Sequence, residues 1–143
     1  MCYDRFYPGR PWLDTNGNRI QAHGGSVLYI DGTYYWYGEN KERTDLYNWK
    51  DEGIIIPPEL EDESSSLHPT ACMDRPHIIY NRRTGKYVCW LKIMNKNKTQ
   101  SETVLMADSI LGPYIKVREG LSPLGMSAGD FDLAVAEDGK AYY

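Results

Sequence analysis

The chain has no apolar run approaching the roughly 18 residues that a bilayer-spanning helix needs, and no long segment with helical hydrophobic periodicity. A membrane-spanning helix and a helix-built fold are therefore both set aside. It also lacks a basic stripe: 16 lysines and arginines are interspersed among 20 aspartates and glutamates, for a net charge of −4. That balance disfavours nucleic acid and anionic membranes as partners. The N-terminus, Met1-Cys2-Tyr3-Asp4-Arg5-Phe6, lacks the basic-then-apolar order of a signal peptide. A cytoplasmic location is the expectation as written, with a secreted or periplasmic one if the native start lies further upstream. Cysteine is scarce as well. Cys2, Cys72 and Cys89 are odd in number and show no metal-ligand spacing, so free thiols in a reducing compartment are expected, with Cys89 in the core.

What the chain does have is a repeated strand-turn-strand phrase. The copies start at His23-Gly24-Gly25, at Arg75-Pro76-His77 and at Asp130-Phe131-Asp132, and their turn glycines are Gly32, Gly85 and Gly139. These glycines lie 53 and 54 residues apart. β-Hairpins recurring at such a period mark a β-propeller, whose blades hold about four strands each. Unrelated hairpins with similar turns are the competing reading, and they leave the even spacing to coincidence. The smallest closed propellers have about four blades, so 143 residues are expected to supply only the N-terminal part of one propeller domain.

Turn and strand signals divide the chain. Residues 1–22 form a lead-in with a turn at Asp14-Thr15-Asn16-Gly17-Asn18. Blade one is expected over about 23–57, turning at Asp31-Gly32 and ending in an outer turn and strand at 46–56. The acidic stretch 57–70 reads as a solvated loop between blades, since its carboxylates are consecutive rather than spaced as in a cation loop. Blade two is expected over about 74–121, with later strands at 103–107 and 114–117, and blade three begins within 127–143.

Polar residues at the starts of innermost strands converge on one mouth of a propeller channel. Here those starts carry His23, then Asp74-Arg75 with His77, then Asp130 with Asp132. Such a ring of carboxylates and imidazoles can bind a hydroxyl-rich ligand and move protons. Taken singly, Asp130 reads equally well as a turn or cap residue, and His23 as a packed core histidine. Gly24 and Gly25 allow close backbone approach by a ligand or a neighbouring strand.

The stretch Pro11-Trp12-Leu13-Asp14-Thr15-Asn16-Gly17-Asn18-Arg19-Ile20-Gln21-Ala22-His23-Gly24-Gly25, followed by Tyr34-Tyr35-Trp36-Tyr37-Gly38-Glu39, resembles the first blade of family 43 glycoside hydrolases. It is most similar to their exo-β-1,3-galactanase-type subfamily. The likeness continues through Arg75-Pro76-His77-Ile78-Ile79-Tyr80-Asn81 and the stretch from Asp130 to Lys140. The resemblance implies an all-β, five-bladed propeller, of which this chain holds about two and a half blades. It also implies inverting cleavage of terminal sugars, by an acid and a base about 6.5–9.5 Å apart. Asp130 matches the family's supporting aspartate, which tunes and orients an acid expected beyond residue 143. His23 stands at or beside the usual base, a departure shared with the galactanase-type subfamily. Asp74 falls where that subfamily has a glutamate on sugar hydroxyls. Gly24, Glu39 and Arg75 complete the expected substrate-binding set, with Glu39 read equally well as a surface ion-pair residue. No cofactor or metal ligand is expected, with a structural calcium in the channel left open as an alternative that no residue indicates.

Two function classes follow. The first is a glycosidase, or its N-terminal part, acting on β-1,3-galactan or a related galactoside, arabinoside or xyloside. The second is a non-catalytic carbohydrate-binding or truncated remnant without the general acid. The expected partners are an oligo- or polysaccharide and the remaining blades of the parent domain. A propeller interaction module is disfavoured, because the aromatic and polar groups gather at strand starts.

Overall fold

The computed structural model describes residues 10–11, 13–20, 22–39 and 52–143. Cys2, Trp12, Gln21 and the first part of the expected outer turn at 46–51 lie outside the described residues. Within them the chain is built from antiparallel strands. β1 (His23–Ile30) pairs with β2 (Thr33–Glu39), and β3 (Cys72–Asn81), β4 (Lys86–Met94), β5 (Gln100–Ala107) and β6 (Ile115–Leu121) form a four-stranded sheet in chain order. β7 (Ala134–Val135) and β8 (Ala141–Tyr142) form a last short hairpin. The four-stranded middle sheet is thus flanked in sequence by two two-stranded hairpins.

Turn chemistry sets the first hairpin. Asp31 and Gly32 take φ of 46° and 84°, both positive as a two-residue type I′ turn requires. The strands then align Ile30 with Thr33 and Val27 with Trp36. In the middle blade, period-2 alternation sends Cys89, Leu91 and Ile93 to one face and Trp90 and Lys92 to the other. The first face packs on the first hairpin. Its core comprises Tyr37, Ile78, Cys89, Leu105 and Tyr114, with Cys89 and Leu105 fully buried. Burial of a Leu105-sized side chain contributes about 1.5–3 kcal/mol. Tyr37 joins the two blades by a backbone bond as well: its hydroxyl accepts the Ile78 N–H at 2.8 Å. The opposite face receives the chain's last segment, where Trp90, Tyr143, Phe131 and His77 form a run of ring contacts at 5.1–5.5 Å.

One expectation is corrected and another is refined. Residues 54–56, read as strand from three consecutive isoleucines, are irregular. Ile55 and Ile56 instead pack on the core as half-buried side chains, and the Ile55 carbonyl accepts the Tyr114 N–H at 2.9 Å. The acidic loop 57–70 keeps Glu61, Asp62 and Glu63 exposed, as a solvated connection does, but it is anchored at 65–67 and through Glu59. Ser65, Ser66 and Leu67 are buried, and Lys116 of β6 donates to Glu59 (2.7 Å), Ser65 Oγ (2.8 Å) and Glu119 (2.9 Å). Of the loop's carboxylates, this half-buried lysine pairs with Glu59.

Candidate functional site

The site begins with an irregularity in β3. Pairing with β4 proceeds through Asp74↔Lys92, skips Arg75 and Pro76, and resumes at His77↔Trp90. Arg75 sits at φ 52°, in the left-handed region that a non-glycine residue adopts only with local support. Asp74 supplies that support by accepting the Arg75 N–H on its Oδ1 at 2.9 Å. Pro76 has no N–H and so loses nothing where the ladder is interrupted. The bulge delivers the Arg75 guanidinium to the start of the third repeat, where Nη2 donates to Asp130 Oδ2 at 2.8 Å.

The other oxygen of Asp130 meets Lys92 of β4, whose Nζ donates to Oδ1 at 2.5 Å. The same ammonium lies 3.4 Å from Asp74 Oδ2. Two carboxylates therefore share one lysine, and that lysine is 6% exposed whereas Asp130 is 61% exposed. The hydrogen bond from Lys92, followed by the charges of Lys92 and Arg75, holds the Asp130 carboxyl below its ordinary range. Burial pushes the Lys92 ammonium down, but its bonds and charge attraction to Asp130 and Asp74 outweigh that and raise it. Lys92 and Asp130 are both charged at neutral pH.

Behind Lys92 lies a carboxyl in a different state. Glu102 of β5 registers directly opposite Lys92 and is fully buried. Its Oε1 accepts the Tyr143 hydroxyl at 3.2 Å, while Oε2 has no partner among the described residues. Burial pushes this carboxyl up to about 7. Beside it, His77 Nδ1 lies 3.0 Å from Asp132. Burial nevertheless holds His77 below its ordinary value, so at neutral pH the contact is a neutral imidazole N–H donating to a carboxylate.

The structure thus brings three of the sequence-expected residues, Asp74, Arg75 and Asp130, into one cluster at the seam between the second and third repeats. His23 and Glu39 are placed opposite each other at the end of the first hairpin, with Gly24 at φ 65° in the adjoining bulge. Lys92, Glu102 and Tyr143 were missed. Lys92 had a readable signal, because it is the lone interior charge in the apolar run Tyr87-Val88-Cys89-Trp90-Leu91-Lys92-Ile93. A concave groove between β1, β3 and β7, lined by Leu28, Ile79, Tyr80 and Leu133 among others, excludes Asp74, Arg75, Lys92 and Asp130. The charge cluster opens at a strand end rather than inside that groove.

No family model and no curated protein matches the sequence. Solved structures do match. A β-1,3-galactosidase of glycoside hydrolase family 43 aligns over 96% of this chain and 32% of its own, with 33% identity and a TM-score of 0.84. A second family 43 β-1,3-galactosidase, seen with galactodeoxynojirimycin, is 40% identical over 78% of this chain and 37% of its own, with a TM-score of 0.66. The exo-β-1,3-galactanase of Phanerochaete chrysosporium, with β-1,3-galactotriose, is 28% identical over 91% of this chain and 33% of its own, with a TM-score of 0.79. The fold is accordingly all-β and part of a five-bladed β-propeller of the kind these structures share. The chain belongs to glycoside hydrolase family 43. It spans about a third of the length of the structures it matches.

Proposed function

We propose that this chain supplies the first blades of an exo-acting, inverting glycosidase that removes terminal galactose from β-1,3-galactan or a related galactoside. The observation that carries the reading is Asp130, held ionised between Lys92 and Arg75 at the blade seam. A permanently ionised carboxylate is a poor proton donor. It is well suited to keeping a neighbouring acid protonated by like-charge proximity, the role in which that acid protonates the leaving oxygen. Asp74, which accepts the Arg75 N–H and lies 3.4 Å from Lys92, stands beside Asp130 in the cluster where a sugar hydroxyl would be met. His23 and Glu39 would border the same subsite from the first hairpin. In this reading the general acid comes from the two thirds of a family 43 propeller that this chain does not match, so the 143-residue chain should bind sugar and hydrolyse little or none.

Isothermal titration tests this with methyl β-galactoside, β-1,3-galactobiose, methyl α-arabinofuranoside and methyl β-xyloside. The galactosides should bind best, and Asp74→Ala should weaken them by about tenfold or more, equivalent to losing one charged hydrogen bond. Equal binding of all four sugars, or unchanged affinity in Asp74→Ala, would remove the basis for a galactose subsite. Rapid galactose release by the 143-residue chain would show that the acid is misplaced.

A further inference from the structure

β4 and β5 set Lys92 and Glu102 side by side on the face that the last segment covers. An ammonium has three donors. Lys92 directs its ammonium toward Asp130 at 2.5 Å and Asp74 at 3.4 Å, and it forms no ion pair with Glu102 among the described residues. Glu102 is buried with one oxygen on the Tyr143 hydroxyl and the other unpartnered. This arrangement has two settlements. A neutral Glu102 leaves Lys92 to Asp130 and Asp74. An ionised Glu102 has an open oxygen on the same sheet face as the buried ammonium of Lys92 and draws on that lysine.

We infer that Glu102 is a positioning residue, whose charge sets how tightly Lys92 holds Asp130 and so switches the seam between a paired and a shared state. For its consequence in catalysis this rests on the reading of Asp130 as the site's supporting carboxylate, but the coupling itself does not. The groups around Glu102 support a switch in the neutral range. Lys92 and Asp74 approach from β4 and β3, Asp130 and Tyr143 from the last segment, and Arg75 through Asp130. On β6, Leu121 stands opposite Glu102 and Arg118 opposite Val104. Burial places the Glu102 titration at about 7, and the attraction of Lys92 partly offsets that burial. Below this value Glu102 is neutral and Asp130 keeps its lysine. Above it, Lys92 faces three carboxylates.

The test is carbon NMR of the 143-residue chain labelled at aspartate and glutamate carboxyls, titrated between about pH 5 and pH 9. In the wild type, the Asp130 carboxyl resonance should show an inflection near neutrality at the same midpoint as Glu102. Glu102→Gln should abolish the Asp130 inflection. Tyr143→Phe removes a donor that favours the ionised carboxylate, and should move the shared midpoint to higher pH. A flat Asp130 resonance across the range, or an inflection unchanged by Glu102→Gln, would overturn the inference. If Glu102→Gln does not fold, an unmoved midpoint in Tyr143→Phe overturns it alone. Because no sugar enters this experiment, failure of the galactose reading and failure of the coupling are told apart.

Discussion

Asp130→Asn in the assembled enzyme is expected to lower turnover of β-1,3-linked galactosides by about a hundredfold or more, the scale of lost acid catalysis. Asparagine keeps the shape and can still accept a hydrogen bond from Lys92. What disappears is the negative charge that keeps a neighbouring acid protonated. The effect should fall on kcat, with KM changed little, because the charge matters most as the leaving oxygen takes its proton. The pH dependence follows from the direction of the shift. Lys92 and Arg75 hold the Asp130 carboxyl below 3.8, so the pairing is fully present above that value and is lost as pH falls through the lowered one. Steady-state kinetics of parent and variant, with circular dichroism as the control for folding, decide the matter. Parent-like kcat in a folded Asp130→Asn enzyme would refute the assigned role.

Gly25→Ala is expected to have the largest effect on stability, more than about 3 kcal/mol. The register of the first hairpin shifts between His23 and Ser26, and this brings the β2 backbone against Gly25. A Cβ built there would lie 1.7 Å from the Tyr37 carbonyl oxygen and 2.6 Å from its carbon. Both atoms are backbone, so relief requires moving Tyr37, the residue whose hydroxyl holds Ile78 of the next blade. Gly32→Ala makes the contrast. Its φ of 84° is strained for alanine, yet a Cβ there meets nothing within 4 Å, so the cost should be near 1 kcal/mol. Urea denaturation of the two variants should show Gly25→Ala far the weaker. Equal midpoints would contradict the packing of the first hairpin against itself.

Features encoded locally were the ones legible in the sequence. Asp31-Gly32 dictates a turn from its own residues, and the repeat spacing of Gly85 identified the middle blade, which forms all four strands. The convergence of Asp74, Arg75 and Asp130 was readable because all three sit at the starts of repeats. Features that depend on distant partners were not. Nothing near Glu59 announces Lys116, 57 residues away, so the anchoring of an otherwise exposed loop was not readable. The isoleucines at 54–56 have strand propensity, but a single bond to Tyr114 and core packing settle them otherwise. Glu102 carried no signal in the sequence, falling just before the strand expected at 103–107. In the structure it is fully buried and accepts a hydrogen bond from Tyr143 of the last segment.

The most direct measurement is an assigned nitrogen-proton NMR spectrum of the 143-residue chain titrated with β-1,3-galactobiose. Saturable shifts are predicted at Asp74, Arg75, Lys92 and Asp130, with β6 unaffected, because the sugar is placed at the seam between the second and third repeats. Shifts confined to β6 and the docked loop at 57–70, or none at any sugar concentration, would contradict the claim that this seam is a galactose-binding subsite.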